Sequence, residues 1–114
     1  MRPGQLEAND FEVAILRQMS RKVPALTGMI GQLRVLSRKF TGVGSFTEFQ
    51  RNEADSDAGE SPITLDGLIK MPRVPNGMGA VLFFAGGRPK CLETFTFDSE
   101  HWDGVFDGFS IDTA

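Results

Sequence analysis

Few side chains in this 114-residue chain have types and spacings that invite chemistry. His101 is the one histidine and Cys91 the one cysteine. A zinc site draws on several such ligands, so the supply is too small for one. A nucleophilic thiol needs a base beside it and access to solvent. Cys91 instead stands in an apolar run, where a thiol packs as a small inert hydrophobe. His101 falls in the polar turn Ser99-Glu100-His101-Trp102-Asp103, and an intrinsic pKa near neutrality is no evidence of catalysis. Glu53, Asp55 and Asp57 alternate as calcium ligands do, but the glycine and the terminal bidentate glutamate of a calcium loop are misplaced. Gly42, Gly44, Gly86 and Gly87 join strand to strand, whereas a phosphate loop joins a strand to a helix. No catalytic, cofactor-binding or metal-ligating residue is expected, and no cofactor.

Two charged residues stand out by parity. On a strand, Cys91, Glu93, Phe95 and Phe97 share one face. If that face is the core, Glu93 must be paired or protonated. Arg38 shares a face with Leu36 and Phe40 in the same way. Arg38 and Glu93 are therefore expected as an internal ion pair or as the polar spot of a pocket, unless a bulge breaks the parity and leaves neither buried.

The elements that position these residues follow from periodicity. Asn9 with Glu12 three residues on is a capping box, and Phe11, Ile15 and Met19 form a helical apolar stripe. The pattern predicts a helix over 10–21. Residues 24–32 continue an apolar stripe behind Pro24 and predict a second, short helix weakened by Gly28 and Gly31. The period then changes to two, predicting strands over 36–40 and 45–50 around a glycine turn at 41–44. Residues 51–62 read as a solvated acidic loop. Further strands are expected over 63–71, 79–84 and 89–97, with Gly86-Gly87 as a two-residue hairpin turn. The segment 98–107 reads as an acidic connection with room for a helical turn around Trp102, and 109–111 as a short edge strand.

Length and composition allow one domain, with residues 1–8 a loose tail and 9–114 the folded part. Ten phenylalanines and no tyrosine supply bulk without hydroxyls, so most of the ten are expected in the core. The lone cysteine, the lack of an apolar leader and the lack of a membrane-length apolar segment make a cytoplasmic protein the expectation.

Charge is segregated although the net charge is only −3. Between Glu12 and Glu48 lie Arg17, Arg21, Lys22, Arg34, Arg38 and Lys39 and no acid; after Lys90 lie Glu93, Asp98, Glu100, Asp103, Asp107 and Asp112 and no base. Either the two ends meet and neutralise each other, or the acidic end is offered to a basic protein partner. In the second case the contact residues are Asp98, Glu100, His101, Trp102, Asp103 and Asp107. Trp102 also has the alternative of anchoring its loop to the core. An acidic balance without a glycine–aromatic binding signature argues against nucleic acid.

Taken together, the capped helix, Arg38-Lys39-Phe40-Thr41-Gly42-Val43-Gly44-Ser45-Phe46-Thr47, Gly77-Met78-Gly79-Ala80-Val81-Leu82-Phe83-Phe84, Leu92-Glu93-Thr94-Phe95-Thr96-Phe97 and Glu100-His101-Trp102 resemble a group of small uncharacterised bacterial α+β proteins. The chain is also similar in kind to immunity proteins of bacterial toxin systems. That resemblance implies no catalytic residues. It implies a toxin as one sort of partner.

The expected fold is α+β, with one or two N-terminal helices on one face of an antiparallel sheet of about five strands. The expected function is non-catalytic protein binding through an acidic surface, of the immunity type. The alternative is a small-molecule-binding domain or enzyme with a phenylalanine-lined pocket containing Arg38 and Glu93.

Overall fold

A computed structural model describes residues 6–50 and 61–113. Strand β1 (Leu6–Glu7) leads into helix α1 (Asp10–Met19), two 3-10 helices (Pro24–Gly28 and Ile30–Gln32) and strands β2 (Arg34–Phe40) and β3 (Gly44–Phe49). Beyond residues 51–60 come β4 (Ile63–Thr64), β5 (Leu68–Met71), β6 (Val74–Ala85), β7 (Arg88–Thr96), a 3-10 turn (Phe97–Ser99) and β8 (Ser110–Asp112). All strands pair antiparallel in one sheet, ordered β1-β2-β3-β7-β6-β5-β8, with β4 also on β6. The fold is α+β, as expected. The strand count exceeds five only through β1, β4 and β8, each of two or three residues.

The helix begins where its cap dictates. The Asn9 side chain accepts from the Glu12 N–H at 2.8 Å, and the Asn9 N–H donates to Glu12 Oε1 at 2.9 Å. Both halves of the capping box are present. The helix ends at Met19, and the expected second helix is instead the two 3-10 segments. Gly28 and Gly31 make a continuous α-helix there too costly. Residues 6 and 7, expected in a loose tail, pair with Val35 and Arg34. The expected strand over 63–71 is interrupted between β4 and β5, and both pieces lie along β6. At the β6–β7 turn Gly86 and Gly87 have φ of 59° and 77°. Two successive positive values define the tight hairpin turn that glycine adopts without strain. Most of the acidic loop expected over 51–62 lies outside the described residues.

Among the described residues the sheet is covered on one side only. Phe11, Ile15, Leu16 and Met19 of α1 pack with Leu26 and Ile30 of the 3-10 segments onto Val35, Phe49, Met78, Leu82 and Leu92. Trp102 closes the same core from the C-terminal segment. Each fully buried large aliphatic or aromatic side chain contributes about 1.5–3 kcal/mol of transfer free energy. Among the described residues no helix is long and apolar enough to cross a membrane.

Candidate functional site

Arg38 and Glu93 do not meet. Cross-strand register places Arg38 opposite Thr47, and Thr47 opposite Leu92. Glu93 is opposite Phe46 on one side and Val81 on the other, in the alternate parity. Directly opposed residues share a face, so Arg38 points into the helix-covered core and Glu93 to the uncovered side. Neither the expected ion pair nor a pocket containing both residues exists.

The acid that receives Arg38 comes from the helix. Arg38 Nε and Nη2 donate to Glu12 Oε2 and Oε1 at 2.8 and 2.7 Å. Thr47 Oγ1 donates to Glu12 Oε2 at 2.6 Å. With the Asn9 N–H, the Glu12 carboxylate accepts four hydrogen bonds while only 1% exposed. A buried charge is tolerable when paired and fully bonded in this way. The bonds to Glu12 raise the pKa of Arg38 further, against the opposing effect of burial. The guanidinium also lies 5.9 Å from the centroid of the Phe106 ring. This node ties the start of α1 to β2 and β3. Every polar atom of the Glu12 carboxylate is engaged within the protein, as a strut requires. One signal in the sequence pointed to it: Glu12 sits within the apolar stripe, between Phe11 and Ile15.

The acidic C-terminal segment is partly consumed internally. Trp102 is 3% exposed and packs against Phe11, Phe40 and Phe106 at 6.1, 5.7 and 5.5 Å between centroids. Its backbone N–H donates to Gly42 O, and its indole N–H to Val105 O. It anchors the loop to the core, the alternative that the sequence left open for it. No helical turn surrounds it; the 3-10 turn lies earlier, at Phe97–Ser99. Asp103 pairs with Arg73 at 3.1 Å, and Glu100 accepts from the Asn76 N–H at 3.2 Å. The N–H of Val105, and then Arg73, hold the Asp103 carboxyl below the usual range. Asp98, His101 and Asp107 are exposed. The ion pairs of the basic N-terminal stretch run elsewhere, Lys22 to Asp66 at 2.9 Å and Arg38 to Glu12.

The uncovered face of the sheet carries what parity reasoning assigned to the core. One row across four strands reads Lys39, Phe46, Glu93, Val81; the next reads Ser37, Glu48, Cys91, Phe83. Phe95 and Phe97 extend the patch and meet edge to face at 5.7 Å. A Cβ on Gly79 would come within 2.7 Å of the Phe95 ring, so glycine is what lets that ring lie against the β6 backbone. Phe46 and Phe97 are 38% and 40% exposed. Of the ten phenylalanines only Phe11 and Phe49 are buried, with Phe84, Phe106 and Phe109 packed against the core; the other five, Phe40 among them, lie outside the core that was expected to hold most of them. Cys91 is half-buried here rather than in the core. Among the described residues Glu48 and Glu93 have no ion-pair partner. Diagonal neighbours on adjacent strands sit about 7–8 Å apart, so the two carboxylates share one negative region.

Cys91 reports that region. Burial pushes its thiol up, and the charges of Glu48 and Glu93 push it further, with Lys90 opposing. Alkylation of Cys91 by iodoacetamide should therefore show a pH midpoint above that of a free thiol. Glu48→Gln should lower the midpoint. A midpoint at or below the ordinary thiol value would contradict the electrostatics described.

Among the described residues no three His, Cys, Asp or Glu side chains converge as metal ligands would. Fold and surface together define an α+β domain with one sheet face packed and the other open, aromatic and acidic at its centre. No family model, curated protein or solved structure matches the chain.

Proposed function

We propose that the protein is a non-catalytic binding domain for a basic protein partner, acting through the open face of its sheet. The observation that supports this is the Phe46, Phe83, Phe95 and Phe97 patch set around the carboxylates of Glu48 and Glu93, which have no ion-pair partner among the described residues. Exposed aromatic area of this kind marks interaction surfaces. An arginine or lysine of the partner stacks on aromatic rings and pairs with a carboxylate in one geometry. The acidic region thus moves from the Trp102 segment to β3 and β7, while Asp98 and Asp107 stay exposed outside it. Neutralising a toxin with a basic surface, in the bacterial cytoplasm, is the form of binding that the resemblance to immunity proteins implies.

The test is affinity capture from the native cell with wild type, Phe46→Asp and Glu93→Lys. Both positions lie off the core, so the variants should unfold at the wild-type denaturant midpoint. Each should weaken retention of the same basic protein by about thirty-fold, the size of a hot-spot loss. Wild-type retention should fall as salt rises from about 50 to about 500 mM. Retention of the same partner by both variants would refute the assignment. So would a salt-insensitive complex, or a homodimer of the free chain that both variants dissolve.

A further inference from the structure

A groove on the helix-covered side of the sheet carries an inference independent of this reading. Val13 and Arg17 of helix α1 and its capping residue Ser20 form one flank at helical spacing, Val13 partly buried against the core and Arg17 exposed. This flank borders a groove of about 530 Å³ whose other wall is built from the 3-10 segments and the start of β2. Ligand sites of small molecules fall in this volume range. Ile30 and Leu33 belong to the buried core and form its apolar floor. Arg17 and Arg34 bring two guanidiniums to it from different elements. Arg34 spends one N–H on the Leu33 carbonyl at 2.9 Å, and Arg17 has no side-chain partner among the described residues. Two forked cations above an apolar floor select an anion with an apolar body. Two features limit its charge. Glu7 stands on the groove's wall, and the carbonyl end of α1 adjoins it; both disfavour added negative charge, so the two guanidiniums have least surplus for a multiply charged anion.

We propose that this groove binds a small monoanionic carboxylate with an aliphatic body, its carboxylate shared by Arg17 and Arg34 and its chain laid on Ile30 and Leu33. Gly31 supplies a decisive variant. It lines the groove, and a Cβ built on it meets nothing within 4 Å. A side chain there enters the groove without disturbing the fold.

The experiment is an amide chemical-shift titration of the full chain with octanoate, octylammonium and inorganic phosphate. Octanoate should saturate, with the shifts concentrated at Ser20, Thr27 and Gly31. Arg17→Gln and Arg34→Gln should each weaken it by about tenfold, as for loss of a hydrogen bond to a charged group. Gly31→Leu should abolish binding, and Arg21→Gln, outside the groove, should leave it unchanged. Octylammonium binding as tightly as octanoate would overturn the role of the arginines. Phosphate binding as tightly would overturn the role of the apolar floor. Absence of saturation, or a folded Gly31→Leu chain that binds normally, would overturn the site itself.

Discussion

Glu12→Ala should destabilise the protein by about 3–5 kcal/mol, the cost of removing one partner of a buried, hydrogen-bonded ion pair. The substitution strands three donors at once: the Arg38 guanidinium, the Thr47 hydroxyl and the Asn9 N–H. Arg38 is only 17% exposed at its side chain, so water does not readily replace the lost carboxylate. The same change also removes half of the helix cap. Domains of this size have total stabilities of about 5–15 kcal/mol, which makes the loss a large share of the whole. The double variant Glu12→Leu/Arg38→Met should recover only part of it, because an apolar pair replaces the buried salt bridge at little cost while the Thr47 hydroxyl and the Asn9 N–H stay without an acceptor. Urea denaturation of the three proteins measures both quantities. A Glu12→Ala midpoint close to wild type would show that the node is solvated and not a strut.

Trp102→Ala should cost a comparable amount, about 3–5 kcal/mol, as for deletion of a large buried aromatic. The ring is in contact with Phe11 of the helix, Phe40 of β2 and Phe106 of the C-terminal segment. Its removal therefore opens a cavity where three parts of the chain join. Phe106 also stacks near Arg38, so the loss should couple to the Glu12 node. A double-mutant cycle between Trp102→Ala and Glu12→Ala should depart from additivity, as it does for residues in one connected network. Trp102→Phe keeps most of the buried surface and should cost less. Were Trp102 instead a partner-contact residue, Trp102→Ala would abolish capture of the partner with its unfolding midpoint unchanged. That result would return the contact surface to the acidic C-terminal segment.

Short-range spacing carried much of this architecture. Asn9 and Glu12 announced the helix start because a cap and its reciprocal acid interact within a single turn. Phe11, Ile15 and Met19 marked the buried stripe for the same reason. Gly86-Gly87 marked the hairpin because only a positive φ at both positions closes so tight a turn. Arg38 turns to the helix-covered side, although Leu36 and Phe40, which the alternation grouped with it, are exposed. Its partner was not legible, because Glu12 does double duty. The residue that completes a local cap also lies 26 positions from the guanidinium it binds.

The covered face of β7 was likewise beyond local pattern. Alternation there offers Cys91, Glu93, Phe95 and Phe97 against Leu92, Thr94 and Thr96, and bulk favoured the first set. The folded chain buries the second. Thr94 is satisfied by the Ser45 hydroxyl at 2.6 Å, and Leu92 lies in the same cross-strand row as Thr47, which donates to Glu12. Hydroxyls are admitted to the interior because partners from distant strands and the helix meet them there. Helix caps, tight turns and the period of each segment depend on neighbours a few residues away, so the linear chain was enough to establish them. Which side of the sheet is dry, which acid answers Arg38 and whether Trp102 is inside or out depend on contacts between remote segments, and these arise only when the chain is folded.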